Sequence, residues 1–545
     1  MKIFMNKKIS IILLSILFAG ILKAQSYDVV VYGASSAGVT AAIQVSRMNK
    51  KVLLVSTNQQ VGGLTSSGLG ATDINQHTVI GGISREFYQR IYSYYANPTS
   101  WTSQTPDEYF VNTLGKFFWK GRSDVLKMQW MFEPHAAQKV FKEMLSNAAV
   151  EIAYNQRLDL KKGVVKTGTA IQSIKMESGK VYTAKMFIDA TYEGDLMAKS
   201  GVKYTVGREA NSQYGESFNG VLKDKLFGGG KQSVDPYIEE GNPKSGLLPY
   251  IESKAPGANG DADHRVQAYC YRFTLSKDSL NQIPITKPKN YNPLWYELYG
   301  HLYKLNPKIG IDQLLTLTPL PNKKTDTNHA DFIGASYTWA EANYKQRDKL
   351  AQMHKDYALG KLWFMVSDPR IPERVKAEIK KYGLAKDEFK DNENFPYQIY
   401  IREARRMVSE YVMTENNVTR TVVAPESVAL GTYWLDSHVV SYFVDENNQL
   451  WSEGAFWKGE NIYPIAYKSI VPKQKECSNL LVPVCLSSTH AAYGSIRMEP
   501  VYMVLGQSAA TAACLAINEK VDVQNLAYNK LEQRLLKDKQ ILEKP

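Results

Sequence analysis

The sequence predicts an α/β fold: a Rossmann-like domain of βαβ units on a central parallel sheet, with an inserted α+β domain. Three observations predict it. Residues 27–63, YDVVVYGASSAGVTAAIQVSRMNKKVLLVSTNQQVGG, read as strand, glycine turn, small-residue helix and strand. A further apolar strand ends in small residues at 187–191, FIDAT. Small-residue helical chemistry then returns at 488–516, after a stretch richer in Tyr, Trp, Pro and Asn.

The elements follow in chain order. Lys2, Lys7 and Lys8 precede an apolar run, Ile9 to Leu22, and Leu22-Lys23-Ala24 is a plausible cleavage site. The expectation is a signal peptide over 1–24 and a secreted or periplasmic mature chain. The strand Val29 to Tyr32 runs into Gly33-Ala34-Ser35-Ser36-Ala37-Gly38. Gly33 suits the tight turn, and Gly38 lets the helix close onto the sheet. The first helix amides then face a pyrophosphate. Ser35 takes the place of the middle glycine. The second strand, Val52 to Val55, ends at Ser56, where a ribose-binding carboxylate usually stands. The turn lacks the closing glycine of a serine nucleophile elbow.

Glu133 to Leu145 reads as a helix with Pro134 in its first turn, and Val150 to Tyr154 as a strand. Ile171 to Met176 and Val181 to Met186 flank a Ser178-Gly179 turn, and the second arm continues through Phe187 towards Thr191. These pieces assign 25–204 to the first part of a dinucleotide-binding domain. Residues 205–455 form the inserted substrate domain, with helices expected over Leu294–Leu305 and Ala335–Tyr357. Residues 456–520 return to the first domain, and 521–545 form a basic tail.

Composition limits the partners. The net charge is +12, and the four lysines of the leader leave +8 on the rest. That excess is spread out and interleaves with no nucleic-acid motif, so no nucleic-acid partner is expected. No later segment is apolar enough for a stable membrane span. Cys270, Cys477, Cys485 and Cys514 form no CxxC pair and no zinc spacing. An exported chain permits disulfides, with three connectivities open, although Cys514 in an Ala-rich helix reads as a buried thiol.

Five stretches carry a resemblance: 27–42; 61–73 with 81–88; 187–209; 402–407 with 435–438; and 486–513. Through them the chain resembles the exported bacterial FAD-dependent oxidoreductases of the glutathione-reductase-like superfamily. The resemblance implies FAD as cofactor. It implies that Gly33, Ser35, Ser36, Ala37 and Gly38 bind the pyrophosphate and that Ser56 sits at the adenosine ribose, where many relatives have Glu. Gly62, Gly63, Leu64 and Thr65 would lie along the flavin, and Ala190 and Thr191 would close over the dinucleotide. The Arg497–Ala510 segment, with Gly506 on its small-residue face, would approach the flavin pyrimidine. Close helix–helix packing explains Gly506 as well.

Flavin oxidation of a C–H bond commonly needs a base for the accompanying proton, and histidine suits neutral pH. Of eight histidines, His490 ranks first and His438 second, while His135 and His301 read as structural. Arg497 is a candidate for binding an anionic substrate or the flavin anion, with a structural pair to Glu499 as the competing account. Arg402, Arg405 and Arg406 read as a solvated or interdomain salt-bridge face on a short helical stretch. Asp261, Asp263 and His264 read as an acidic turn, and no metal is expected. The aromatic cluster from Tyr291 to Tyr303 gives a hint of sugar recognition beside ordinary core packing. The expected function is hydride transfer from a small polar or carbohydrate-like substrate to flavin. A binding protein without turnover and an FAD-dependent lyase or isomerase share the same motifs.

Overall fold

The structure, a computed structural model, describes residues 25–116, 121–228, 233–459 and 461–544. The expected signal peptide, 1–24, lies outside the described residues. The first strand, β1 (Gln25–Tyr32), is followed by α1 (Ser36–Arg47) and β2 (Val52–Val55). The helix α2 (Gly82–Ala96) and the helix α3 (Pro134–Asn147) come next, then β3 (Glu151–Ala153). A hairpin of β4 (Val164–Thr167) and β5 (Ala170–Lys175) leads into β6 (Val181–Asp189). Late in the chain, β7 (Leu480–Leu481) precedes α4 (His490–Ile496), α5 (Glu499–Glu519) and α6 (Tyr528–Lys537).

The central sheet runs β3-β2-β1-β6-β5-β4, with β7 also on β6. Its β3, β2, β1, β6 and β7 pairings are parallel, and the β4–β5–β6 meander is antiparallel. Val29 pairs with Val52 on one side and Met186 on the other. A strand buried on both faces reads as a continuous apolar run, and β1 and β2 do. The carboxyl end of β1 therefore opens between β2 and β6, where such sheets bind ligands.

Helices α1 and α5 pack against each other over the sheet. The contact is close because small residues face it. A Cβ added at Gly506 would overlap the Ala37 carbonyl oxygen and sit 2.7 Å from Thr40 Oγ1. Thr40 Oγ1 also donates to the Met503 carbonyl at 2.8 Å. Among the described residues, α5 is the one helix long and apolar enough to cross a membrane, yet 89% of that window is buried in the protein. The segment expected as a basic tail carries α6, whose Leu531 and Leu535 are buried.

The intervening region holds a five-stranded antiparallel sheet built around Phe273–Ser276 and Lys324–Asn328. Three expectations are corrected there. The long helix runs Tyr344–Ser367, not Ala335–Tyr357, because Asn343 and Gln346 form a capping box that fixes its start. The helix expected at Leu294 begins at Glu297, after a 3-10 turn at Pro293–Trp295. Residues 402–405 form no helix and Arg406 opens the short strand Arg406–Met407, with Arg402 and Arg406 buried. All four cysteines are buried and free.

Candidate functional site

A cleft opens at the end of β1. It is lined by Gly33, Ser35, Ser56, Gly63, Ala190 and Thr191, together with Thr57, Asn58, Gln60, Ser67, Tyr192, Glu193 and Gln398. Local chemistry shapes it. Gly33 has φ +103°, and an added Cβ would lie 2.7 Å from the backbone of Ala190 and Thr191. Ser35 caps α1: its Oγ accepts from Gly38 N at 3.3 Å and donates to the Ala190 carbonyl at 2.6 Å. Any side chain at Gly38 would strike the Gly33 carbonyl. The helix amides thus face the cleft, and the macrodipole favours an anion there.

The remaining cofactor candidates stand behind this wall. Ser36 and Thr65 do not face the cleft with their hydroxyls. They donate to Glu499 Oε2 at 2.6 and 2.7 Å. Ala37 is buried within α1. An added Cβ at Gly62 would meet the Phe141 ring, and Leu64 is buried with its amide on Tyr192 OH at 2.9 Å. Gly506 is corrected: it packs on α1, away from the cleft, because only a missing side chain permits that approach. The Ser56 hydroxyl donates to the Gln60 carbonyl at 2.7 Å, shaping the turn. Beside it, Gln60 Oε1 is buried with no hydrogen-bond partner. An orphaned acceptor of this kind fits a ribose hydroxyl. With the glycine cradle, the residues present fit a dinucleotide.

Beyond the cleft lies a buried polar cluster carried by 400–406, 435–438 and 490–497. Arg497 donates to Tyr400 OH at 2.5 Å and to Asp436 Oδ2 at 2.7 Å. It makes no pair with Glu499, which ends the Arg–Glu account. Arg402 ion-pairs with Asp331 at 3.0 Å, and Arg272 grips Asp326 through two bonds at 2.7 and 2.6 Å. Arg406 bonds Glu209 at 2.7 Å, and Arg405 bonds Asp195 at 2.8 Å. The arginines of this stretch are therefore buried ties between distant segments. Asp73 completes the cluster: burial raises its carboxyl above the usual range, and Tyr433 OH lies 3.4 Å from its Oδ1.

Both candidate histidines form carboxylate pairs here. His438 Nδ1 lies 2.6 Å from Asp331 Oδ2, and its side chain is 15% exposed. Burial alone would raise Asp331, but the Arg402 guanidinium and the His438 imidazole overcome it and hold the carboxyl well below the usual range. A carboxylate on Nδ1 fixes the tautomer and leaves the lone pair on Nε2. His490 Nδ1 lies 2.7 Å from Glu403 Oε2, but both side chains are 0% exposed. Its Nε2 is buried without a partner, and the Phe456 ring stands edge-on at 5.9 Å. His329 stands at the solvent-exposed side of the Asp331–His438 pair, its ring centroid 5.8 Å from that of His438.

Gln267 links these groups and escaped the sequence reading. Its Oε1 accepts from His438 N at 3.2 Å and Arg497 at 3.4 Å, and its Nε2 donates to Glu403 at 3.3 Å. Tyr400, Asp331 and Gln398 were missed too. Nothing local marks them, since their partners lie far along the chain. Elsewhere, Glu133, His135, Asp387 and Glu388 converge like metal ligands. The Lys324 ammonium already sits among three of them, at 2.8 Å from Glu133, 2.7 Å from Asp387 and 2.8 Å from Glu388. Asp263 is engaged by Arg208 and Arg265.

The sequence model described as "FAD dependent oxidoreductase" matches residues 28–535. The chain belongs to that family. FAD is accordingly its cofactor, and the cleft at β1 is where the family's dinucleotide fold places it. No curated protein matches the chain. Similar solved structures include L-proline dehydrogenase from P. horikoshii, at 15% identity and TM-score 0.24, covering 34% of this chain and 59% of that one. L-amino acid deaminase from Proteus vulgaris is 16% identical with TM-score 0.23, covering 34% of this chain and 54% of that one. OxyS anhydrotetracycline hydroxylase from Streptomyces rimosus is 12% identical with TM-score 0.24, covering 38% of this chain and 39% of that one. The chain thus spans less than two thirds of each of these relatives.

Proposed function

We propose that this chain is an exported FAD-dependent oxidoreductase acting on a small, uncharged, carbohydrate-like substrate, with His438 as the proton acceptor. The observation that carries it is the Asp331–His438 pair at 2.6 Å, mostly buried but 15% exposed at the imidazole, beside the Arg497–Tyr400 contact. Bound FAD supplies the hydride acceptor. The imidazole Nε2 takes the hydroxyl proton as the C–H bond breaks, and Asp331 stabilises the imidazolium that forms. Arg497 holds Tyr400 OH in place, so that its phenol can orient a substrate oxygen.

Charge balance supports an uncharged substrate. Arg272, Arg402 and Arg497 are each matched by a carboxylate, Asp326, Asp331 and Asp436. No spare cation is left in this cluster for an anion. Export is supported by the basic start and apolar run of the first 24 residues. His490 gives way to His438 as first candidate because a sealed imidazole cannot reach a substrate without opening the core.

The test is anaerobic flavin bleaching by a panel of sugars, hydroxy acids and amines. His438→Ala retains FAD, and its reduction rate by the bleaching sugar falls by roughly two to four orders of magnitude. Unchanged reduction in His438→Ala, or bleaching by amines or hydroxy acids and by no sugar, overturns the reading.

A further inference from the structure

Three segments that shape the cofactor cleft meet on one buried carboxyl. Glu499 opens α5 and is 4% exposed. Its Oε2 accepts from Ser36, the first residue of α1, at 2.6 Å and from Thr65, in the Gly63–Ser66 turn, at 2.7 Å. Its Oε1 accepts from Tyr192 OH at 2.8 Å. That phenol oxygen in turn accepts from Leu64 N at 2.9 Å. Tyr192 and Gly63 line the cleft, and Gly63 has φ +54° with its open side against the Tyr192 ring.

Burying a carboxyl is costly, and it is tolerated where several donors satisfy it. Here the donors come from residues 36, 65 and 192, so the carboxyl is a junction and not a local cap. Two of the arms are short: the turn at 63–66 is a single 3-10 turn, and the loop after β6 follows the last sheet bond, from Ala190 N to the Tyr32 carbonyl at 2.8 Å. Joined to α5, all three are held at one spacing. A pre-set spacing lowers the ordering cost of binding a long, multi-contact ligand.

We propose that Glu499 is a positioning residue for FAD: its carboxyl clamps the start of α1, the Gly63–Ser66 turn and Tyr192 into one rigid wall of the cofactor cleft. Glu499 does not line the cleft and acts on the cofactor through the segments it joins. The glutamine side chain can keep the clamp, because Ser36 and Thr65 hydroxyls can accept from an amide as readily as they donate to a carboxylate.

The test measures FAD affinity of stripped full-length chain by flavin fluorescence quenching, with apo folding followed by circular dichroism. Glu499→Ala weakens FAD binding by roughly 100-fold or more, while Glu499→Gln restores it to within about tenfold of wild type. Should Glu499→Ala fail to fold, the single-arm variants decide. Ser36→Ala, Thr65→Ala and Tyr192→Phe each weaken FAD binding by roughly 5- to 50-fold, and adding any two gives less than the product, because they share one junction. Wild-type affinity in Glu499→Ala, or strictly multiplicative losses among the arms, overturns the proposal. A wild-type chain that binds no FAD would instead refute the cofactor assignment itself.

Discussion

Replacing Gly33 with alanine tests the cleft at its narrowest point. The added Cβ meets two penalties at once. The residue has φ +103°, which side chains rarely adopt. The same Cβ lies 2.7 Å from Ala190 C, 2.7 Å from Thr191 N and 2.8 Å from Ala190 O, well inside van der Waals contact and against backbone that cannot rotate away. Strained backbone costs about 1–3 kcal/mol and overpacking about 1–3 kcal/mol, for a total of roughly 2–6 kcal/mol. The chain can shed part of this by moving the turn off β6, but that displacement carries the start of α1 out of line with the cleft. The cost therefore emerges as lost FAD affinity, at least about 30-fold, or as a lowered melting temperature of the apo chain. Fluorescence titration and thermal unfolding read the two. Gly115→Ala is the control, since its Cβ meets nothing nearer than Phe110 O at 3.6 Å. A Gly33→Ala chain with both wild-type affinity and wild-type melting would refute the reasoning.

Two further perturbations probe the buried charges. Burial raises Glu216 to about 7, although Glu415 N and Thr489 Oγ1 each donate to its Oε1 at 2.7 Å. A carboxyl raised in the fold binds its proton more tightly there than in the unfolded chain. Its contribution to stability therefore falls as pH rises from about 4.5 to about 7, and the deficit persists above that. Glu216→Gln should remove this slope, stabilising the chain at pH 8 by up to roughly 3 kcal/mol and very little near pH 4.5; parallel pH–stability curves would contradict it. Lys324→Met removes the ammonium shared by Glu133, Asp387 and Glu388 and should cost about 3–5 kcal/mol in urea unfolding, with an unchanged midpoint as the contrary result.

The reading of the chain was most secure where structure is made locally. The β1–α1–β2 unit followed from an apolar run, a turn that needs Gly33 and a small-residue helix that Gly38 lets close onto the sheet, all within one short segment. The β5–β6 hairpin around Ser178-Gly179 and the helix opening at Pro134 were legible for the same reason. The Tyr344–Ser367 helix was misplaced because Ala335 to Ala342 contains helix formers, while the capping box at Asn343 alone decides the start.

The site was only partly legible. Its histidines were found by type, but their order was not, because exposure is a property of everything packed around them. Gly506 fitted two accounts, and contact with Ala37 chose helix packing. Glu499 and Gln267 carry no local signature at all. Gln267 reaches Glu403 across 136 residues, and Glu499 reaches Ser36 across 463.

By itself, then, the sequence determined what short-range forces determine: the alternation of strand and helix, the glycine turn and hence a dinucleotide fold. The tertiary structure decided which buried groups meet. It matched Arg272, Arg402 and Arg497 to carboxylates, sealed His490 while leaving His438 partly exposed, and gathered three cleft segments on Glu499. The reason is that a buried polar group is stable only when a partner is brought to it, and that partner is supplied by the packing of distant segments and not by neighbours in the chain.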